Sequence, residues 1–145
     1  RPPAFHPFNP LLALRVSSLS SLAPAERSAL VGVLLEAVWA RGLHVAEASV
    51  VAQCARDVGL DGDALVAEAA TDAAKARVRE QTDAALASGV FGVPTMQVGD
   101  ELFWGYDDLP FLERHLAEND PLDPRAWQDW QEAAPRPSAT RPRRG

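Results

Sequence analysis

Cysteine is nearly missing from this 145-residue chain: Cys54 is the only one. No intrachain disulfide can form and no Cys-x-x-Cys is present. A reducing compartment is the simplest setting, and a cytoplasmic location is expected. Long apolar runs are missing too. None approaches the roughly eighteen residues that a membrane-crossing helix needs, so no membrane partner is expected. The opening Arg1-Pro2-Pro3 lacks the apolar stretch of a secretion signal and is not an initiator Met, so the chain reads as a fragment or a processed product. Three scattered histidines and one cysteine show no ligand spacing, and no metal site is expected. Gly-rich phosphate loops are absent. Positive charge is scarce: the net charge is −6, and four of the arginines sit in the last ten residues. The body before them is therefore more acidic than the total shows. That argues against nucleic acid, because phosphate contacts need a basic face.

What is present is a helical pattern. The length suits one domain, and an apolar content of 47% suits a real core. Residues 1–8 are expected to be extended, since residues before proline avoid helical geometry. Asn9-Pro10 should start a helix that runs to about Ser20. Pro24 should open a second, ending at Arg41 with Gly42 as its stop. Its expected buried stripe is Leu30, Val33, Leu34, Ala37 and Val38, with Trp39 at one edge. A third helix is expected over 47–58, with Val50, Val51, Cys54 and Val58 inward. Asp61 or Asp63 caps a short helix through Ala70. Thr71 or Asp72 caps the next, which reaches Ser88 and should turn Val78, Ala85 and Leu86 to the core. After a hairpin, a last amphipathic helix carries Leu109, Phe111, Leu112 and Leu116 and stops at Asn119-Asp120-Pro121. Residues 119–145 read as a Pro/Arg-rich tail, largely disordered, in which Trp127 and Trp130 suit one helical turn.

The most informative stretch runs from Gly89 to Gly105. Gly89 stops a helix, Phe91-Gly92-Val93-Pro94 is a loop, and two short apolar runs follow, joined by Gly99-Asp100. Gly at the first central position suits a type II′ hairpin turn. Proline cannot donate to a ladder, so Pro94 must head its strand or lie at an edge. A cis Val93–Pro94 bond would turn the Val93 N–H and C=O outward, free to pair with an extended ligand.

Gly89-Val90-Phe91-Gly92-Val93-Pro94-Thr95, followed by Gly99-Asp100-Glu101-Leu102-Phe103-Trp104-Gly105, resembles the C-terminal half of the 2-hydroxychromene-2-carboxylate isomerases. Those proteins, with the kappa-class glutathione transferases, belong to the DsbA-like thioredoxin superfamily. The start, Phe5-His6-Pro7-Phe8-Asn9-Pro10, also resembles the beginning of that family's helical domain. The resemblance runs from about residue 1 to residue 116. It implies an α/β fold class: the C-terminal half of a DsbA-like thioredoxin fold (a β-hairpin plus helix) with a helical insertion domain, mostly α-helical as given. The domains expected are 1–88, helical insertion; 89–118, thioredoxin-like half; and 119–145, tail. The family's first strand-helix-strand, which holds its nucleophile-activating serine, is not in this sequence.

The resemblance also implies a cofactor, glutathione, and a site. Val93 matches the residue whose backbone pairs with the cysteinyl part of glutathione, beside Pro94. Asp107 matches the family's Asp and is expected to take the glutathione amino group, with Tyr106 adding a backbone contact. Asp108 stands where the family has Arg, which leaves recognition of the glutamyl carboxylate in question. Other readings stand beside these: Val93-Pro94 as a mere strand start, and Asp107 or Asp108 as a helix cap. Asn9 fits a pocket at the domain junction, although capping explains it fully. Trp104 and Phe103 suit an aromatic-substrate pocket or the core, and strand alternation lets only one of them face inward. His6 and His44 read as packing groups, and His115 as a helix-terminus group. Cys54, on an apolar stripe, reads as a small core residue.

Three functions follow. The first is a glutathione-dependent isomerase of the 2-hydroxychromene-2-carboxylate type, acting by reversible thiolate addition, or a kappa-like transferase. This chain is expected to be inactive by itself, its catalytic residue lying outside the sequence given. The second is a DsbA-like thiol–disulfide oxidoreductase, and the third a non-catalytic remnant or interaction module. The expected partners are a small aromatic substrate and, as an open reading, a second copy of the chain.

Overall fold

A computed structural model describes residues 3–119 and 123–133. It divides into two compact units, one ending at Gly89 and the next beginning at Val90. The first holds α1 (Leu11–Ser17), α2 (Pro24–Trp39), α3 (Ala48–Asp57), α4 (Gly62–Ala69) and α5 (Asp72–Ala87). The second holds β1 (Thr95–Val98), β2 (Glu101–Trp104), α6 (Leu109–Leu116) and α7 (Pro124–Ala133). Among the described residues no helix is long and apolar enough to cross a membrane.

In the helical unit, local chemistry sets most helix starts. The Asn9 side chain accepts from the Leu11 amide at 3.0 Å, so it caps α1 as expected. Asp61 accepts from Ala64 at 3.0 Å, and Thr71 accepts from Ala74 at 3.2 Å. α2 starts at Pro24, with Glu26 accepting the Ala23 amide at 2.8 Å. The core lies among these helices. Leu30, Leu34, Ala37 and Val38 come from α2, and Val51 and Cys54 from α3, with Val33, Val50 and Val58 packed against them.

In this unit three details differ from the sequence reading. α1 ends at Ser17, not Ser20, because the chain tightens there into three-residue turns, Leu19 to Val16 and Leu22 to Leu19. Arg27 braces this turn, donating to the carbonyls of Ser17 at 2.6 Å, Leu19 at 2.9 Å and Leu22 at 3.3 Å. Leu86, expected in the core, is 64% exposed, and Ala74 is the buried residue of α5. An alanine-rich helix has no apolar stripe to announce which face is inward. The opening residues are not all extended: the His6 amide bonds back to the Pro3 carbonyl at 3.0 Å. Phe5 stacks on His44 at 4.4 Å, and His6 lies 5.8 Å from Trp39. Both histidines thus pack against rings.

In the second unit, β1 and β2 pair antiparallel, Thr95 opposite Trp104 and Val98 opposite Glu101. Gly99 has φ +59° while Asp100 does not enter the positive region, the pattern of a II′ turn. Phe103 turns toward α6, its ring 5.4 Å from His115, and Trp104 takes the opposite face. The tail contains more helix than one turn. α7 spans ten residues, Asp123 accepts the Arg125 amide at 2.9 Å, and Trp127 stacks on Trp130 at 4.9 Å. Residues 120–122 and 134–145, where the rest of that tail was expected, lie outside the described residues.

Candidate functional site

The loop that leads into β1 holds two of the expected site residues, Val93 and Pro94. The Val93–Pro94 bond is cis. Val93 is 87% exposed, and neither its N–H nor its C=O is hydrogen-bonded to another described residue. The next residue is fixed: the Pro94 carbonyl accepts the Gly105 amide at 2.9 Å, which extends the β1–β2 ladder by one bond. The Thr95 hydroxyl donates to the Gly92 carbonyl at 2.6 Å. Val93 therefore sits between two residues whose carbonyls are engaged, with its own peptide groups open.

Across the hairpin, Gly105 ends β2 and the chain turns through Tyr106, Asp107 and Asp108 into α6. The Tyr106 side chain is exposed and its carbonyl accepts the Leu109 amide at 3.2 Å. Asp107 is exposed, with no hydrogen bond to another described residue. Asp108 stands at the N-cap position of α6 but makes no side-chain cap bond. Its Oδ2 instead accepts the Trp104 backbone amide at 2.6 Å. Val93, Pro94, Tyr106, Asp107, Asp108 and Trp104 thus all belong to the second unit, around one end of the hairpin. Asn9 belongs to the helical unit and serves as a cap there. Gly92 and Thr95 were not singled out by sequence reasoning. Their signal was adjacency: a Gly before, and a hydroxyl after, the Val-Pro pair.

Cys54 has the environment of a core residue. It is 2% exposed, and burial, with Asp57 adding to it and Arg41 opposing it, pushes its thiol pKa up. A raised pKa keeps the thiol protonated and unreactive. Among the described residues no group of three or more His, Cys, Asp or Glu is arranged to hold a metal ion. The helical unit also carries a shallow apolar groove of about 180 Å³ between α1 and α2, lined by Phe8, Leu14, Leu35 and Trp39 among others.

A helical unit followed by a loop, an X-Pro pair, an antiparallel hairpin and a helix defines a thioredoxin-type half-fold with its helical insertion. The chain belongs to the DSBA-like thioredoxin domain family, which it matches over residues 6–117. Three curated relatives carry one name, 2-hydroxychromene-2-carboxylate isomerase. The protein of that name from Pseudomonas sp. (strain C18) is 43% identical over 91 residues, 63% of this chain and 43% of its own length. That from Pseudomonas putida is 42% identical over 91 residues, 63% of this chain and 45% of its own. That from Sphingobium xenophagum is 40% identical over 81 residues, 56% of this chain and 42% of its own. A solved structure of 2-hydroxychromene-2-carboxylate isomerase superimposes with a TM-score of 0.67 at 32% identity, covering 85% of this chain and 58% of that one. The chain therefore spans less than half the length of these curated relatives.

Proposed function

We propose that this chain carries the glutathione-binding loop and helical domain of an isomerase that acts on a small, conjugated aromatic substrate of the 2-hydroxychromene-2-carboxylate type. The observation that carries this reading is Val93, an exposed residue whose amide and carbonyl have no hydrogen-bond partner among the described residues. A tripeptide presents its own N–H and C=O in the order needed to pair with such a residue, as an added strand does. The kinship with proteins named for that isomerisation supports the reaction.

The local residues fit glutathione in part. Val93 suits the cysteinyl peptide groups, and Pro94, held to β2 through Gly105, keeps that edge in place. Asp107, exposed and without a hydrogen bond to another described residue, suits the α-amino group. The Tyr106 amide lies beside it in the chain. The glutamyl carboxylate finds no cation at position 108, where a carboxylate stands and is already bonded to Trp104. Glutathione, when bound, supplies the thiolate nucleophile. The part of the chain described here orients it: Val93 by pairing, Asp107 by charge. Cys54 is too buried to take a chemical part, which leaves a dithiol oxidoreductase without support among the described residues. We place the group that activates the thiol in the part of the relatives' length that this chain does not span. A cytoplasmic setting, where glutathione is reduced, accords with the unpaired Cys54.

The test is an amide NMR titration of the full chain with glutathione. Val93 and its neighbours should shift, and Asp107→Asn should weaken binding about tenfold, the loss expected for a hydrogen bond to a charged group. No shift at about 10 mM, where a binding free energy of only about −3 kcal/mol would register, would overturn the proposal.

A further inference from the structure

The residue before Val93 is covered by a single side chain. The Trp104 indole lies across Gly92: a β-carbon placed there would stand 2.6 Å from Nε1 and 3.3 Å from Cε2. Only a residue without a side chain admits the ring at that distance. The Phe91 ring lies 5.3 Å from Trp104, tilted by 48°. The Thr95 hydroxyl donates to the Gly92 carbonyl. Gly92 is thus fixed by Trp104 and Thr95, and its position sets where the Val93 amide points.

Trp104 is itself held in place. Bonded and non-bonded pairs alternate along an antiparallel ladder. Gly105 is bonded to Pro94, so Trp104, one step back and opposite Thr95, directs its N–H away from β1. Without a partner that N–H would face water. Asp108 takes it with a short, charge-assisted hydrogen bond, formed across the turn that leads into α6. Trp104 is 49% exposed, so little core burial anchors it, and its backbone is where it is gripped.

We propose that Trp104 and Asp108 are positioning residues for the ligand-facing peptide groups of Val93: Asp108 fixes the Trp104 backbone, and Trp104 fixes Gly92. This rests on the reading of Val93 as the glutathione contact. It also gives the aspartate at position 108 a role in this chain that needs no direct touch with ligand.

The experiment uses the full chain labelled with ¹⁵N and follows the Gly92 and Val93 amides and the Trp104 indole N–H, with and without glutathione. Asp108→Ala should displace and broaden the Gly92 and Val93 amides, leave the amides of α1–α5 in place, and weaken glutathione binding about tenfold, the scale of one charged hydrogen bond. Asp108→Asn keeps an acceptor oxygen and should restore most of the affinity, whereas a direct charge contact with glutathione would not be rescued so. Trp104→Phe should fall between. Should Asp108→Ala unfold the hairpin, Asp108→Asn and Gly92→Ala decide. The added methyl should displace both the indole N–H and the Val93 amide. Gly92 and Val93 amides that stay in place in Asp108→Ala or Gly92→Ala overturn the proposal, even if affinity falls. If the wild-type chain binds no glutathione, the binding role of Val93 fails, while the amide shifts still decide the positioning.

Discussion

Cys54 shows how one residue's surroundings set its chemistry. Burial raises its thiol pKa above the ordinary value of 9.0. The unfolded chain gives up that proton at the ordinary value, while the folded chain keeps it. Above that pH the folded state therefore binds more protons, and stability falls as pH rises. Urea unfolding at pH 7 and at about pH 10 should show a larger alkaline loss for the wild type than for Cys54→Ala. Equal losses would mean the thiol is not shielded. The sequence made this residue legible, because Val50, Val51, Cys54 and Val58 share one side of a helix. Asp108 was less legible. That an aspartate stands before a helix is visible in the sequence, but that it reaches back to Trp104 depends on which way a strand-end amide points. That is a matter of ladder parity, which becomes visible only once the hairpin register is known.

At the scale of elements, the helix stops at Gly42, Gly59 and Gly89 were legible because glycine announces them. The end of α6 was not. Its turn passes through Glu118, which adopts φ +51° with a side chain in place. That geometry disfavours any residue with a β-carbon. Glu118→Gly should stabilise the last turn by about 1 kcal/mol, read as roughly fivefold slower amide exchange there. Unchanged or faster exchange would show that the Glu118 side chain offsets its own strain. The inward face of α5 was illegible for another reason. Its alanines satisfy helix propensity without marking a side, and its one leucine, Leu86, points to solvent.

For the molecule as a whole, the order of elements could be read from the sequence because glycines, prolines and apolar spacing agree there, and the half-fold from the resemblance of the Gly89–Gly105 stretch to a known family. What spacing could not supply was the partner of each helix. Leu30, fully buried at the heart of the helical unit, should report on that packing. Leu30→Ala should cost about 2–5 kcal/mol, measured by urea unfolding of the helical signal. A cost under about 1 kcal/mol, within the range of a surface change, would place the centre of the core elsewhere. α1 is the shortest helix of this unit, yet it touches α2, α3, α4 and α5. During synthesis it leaves the ribosome before all of them. Most of what α1 touches lies in α4 and α5, which are made last in this unit. The contacts of α2 with α3 and of α3 with α4 join neighbours in sequence and can form as the chain emerges. α1 must wait and close a loop of dozens of residues. Until that happens, the nascent chain displays the apolar surface of α1, where a chaperone can hold it.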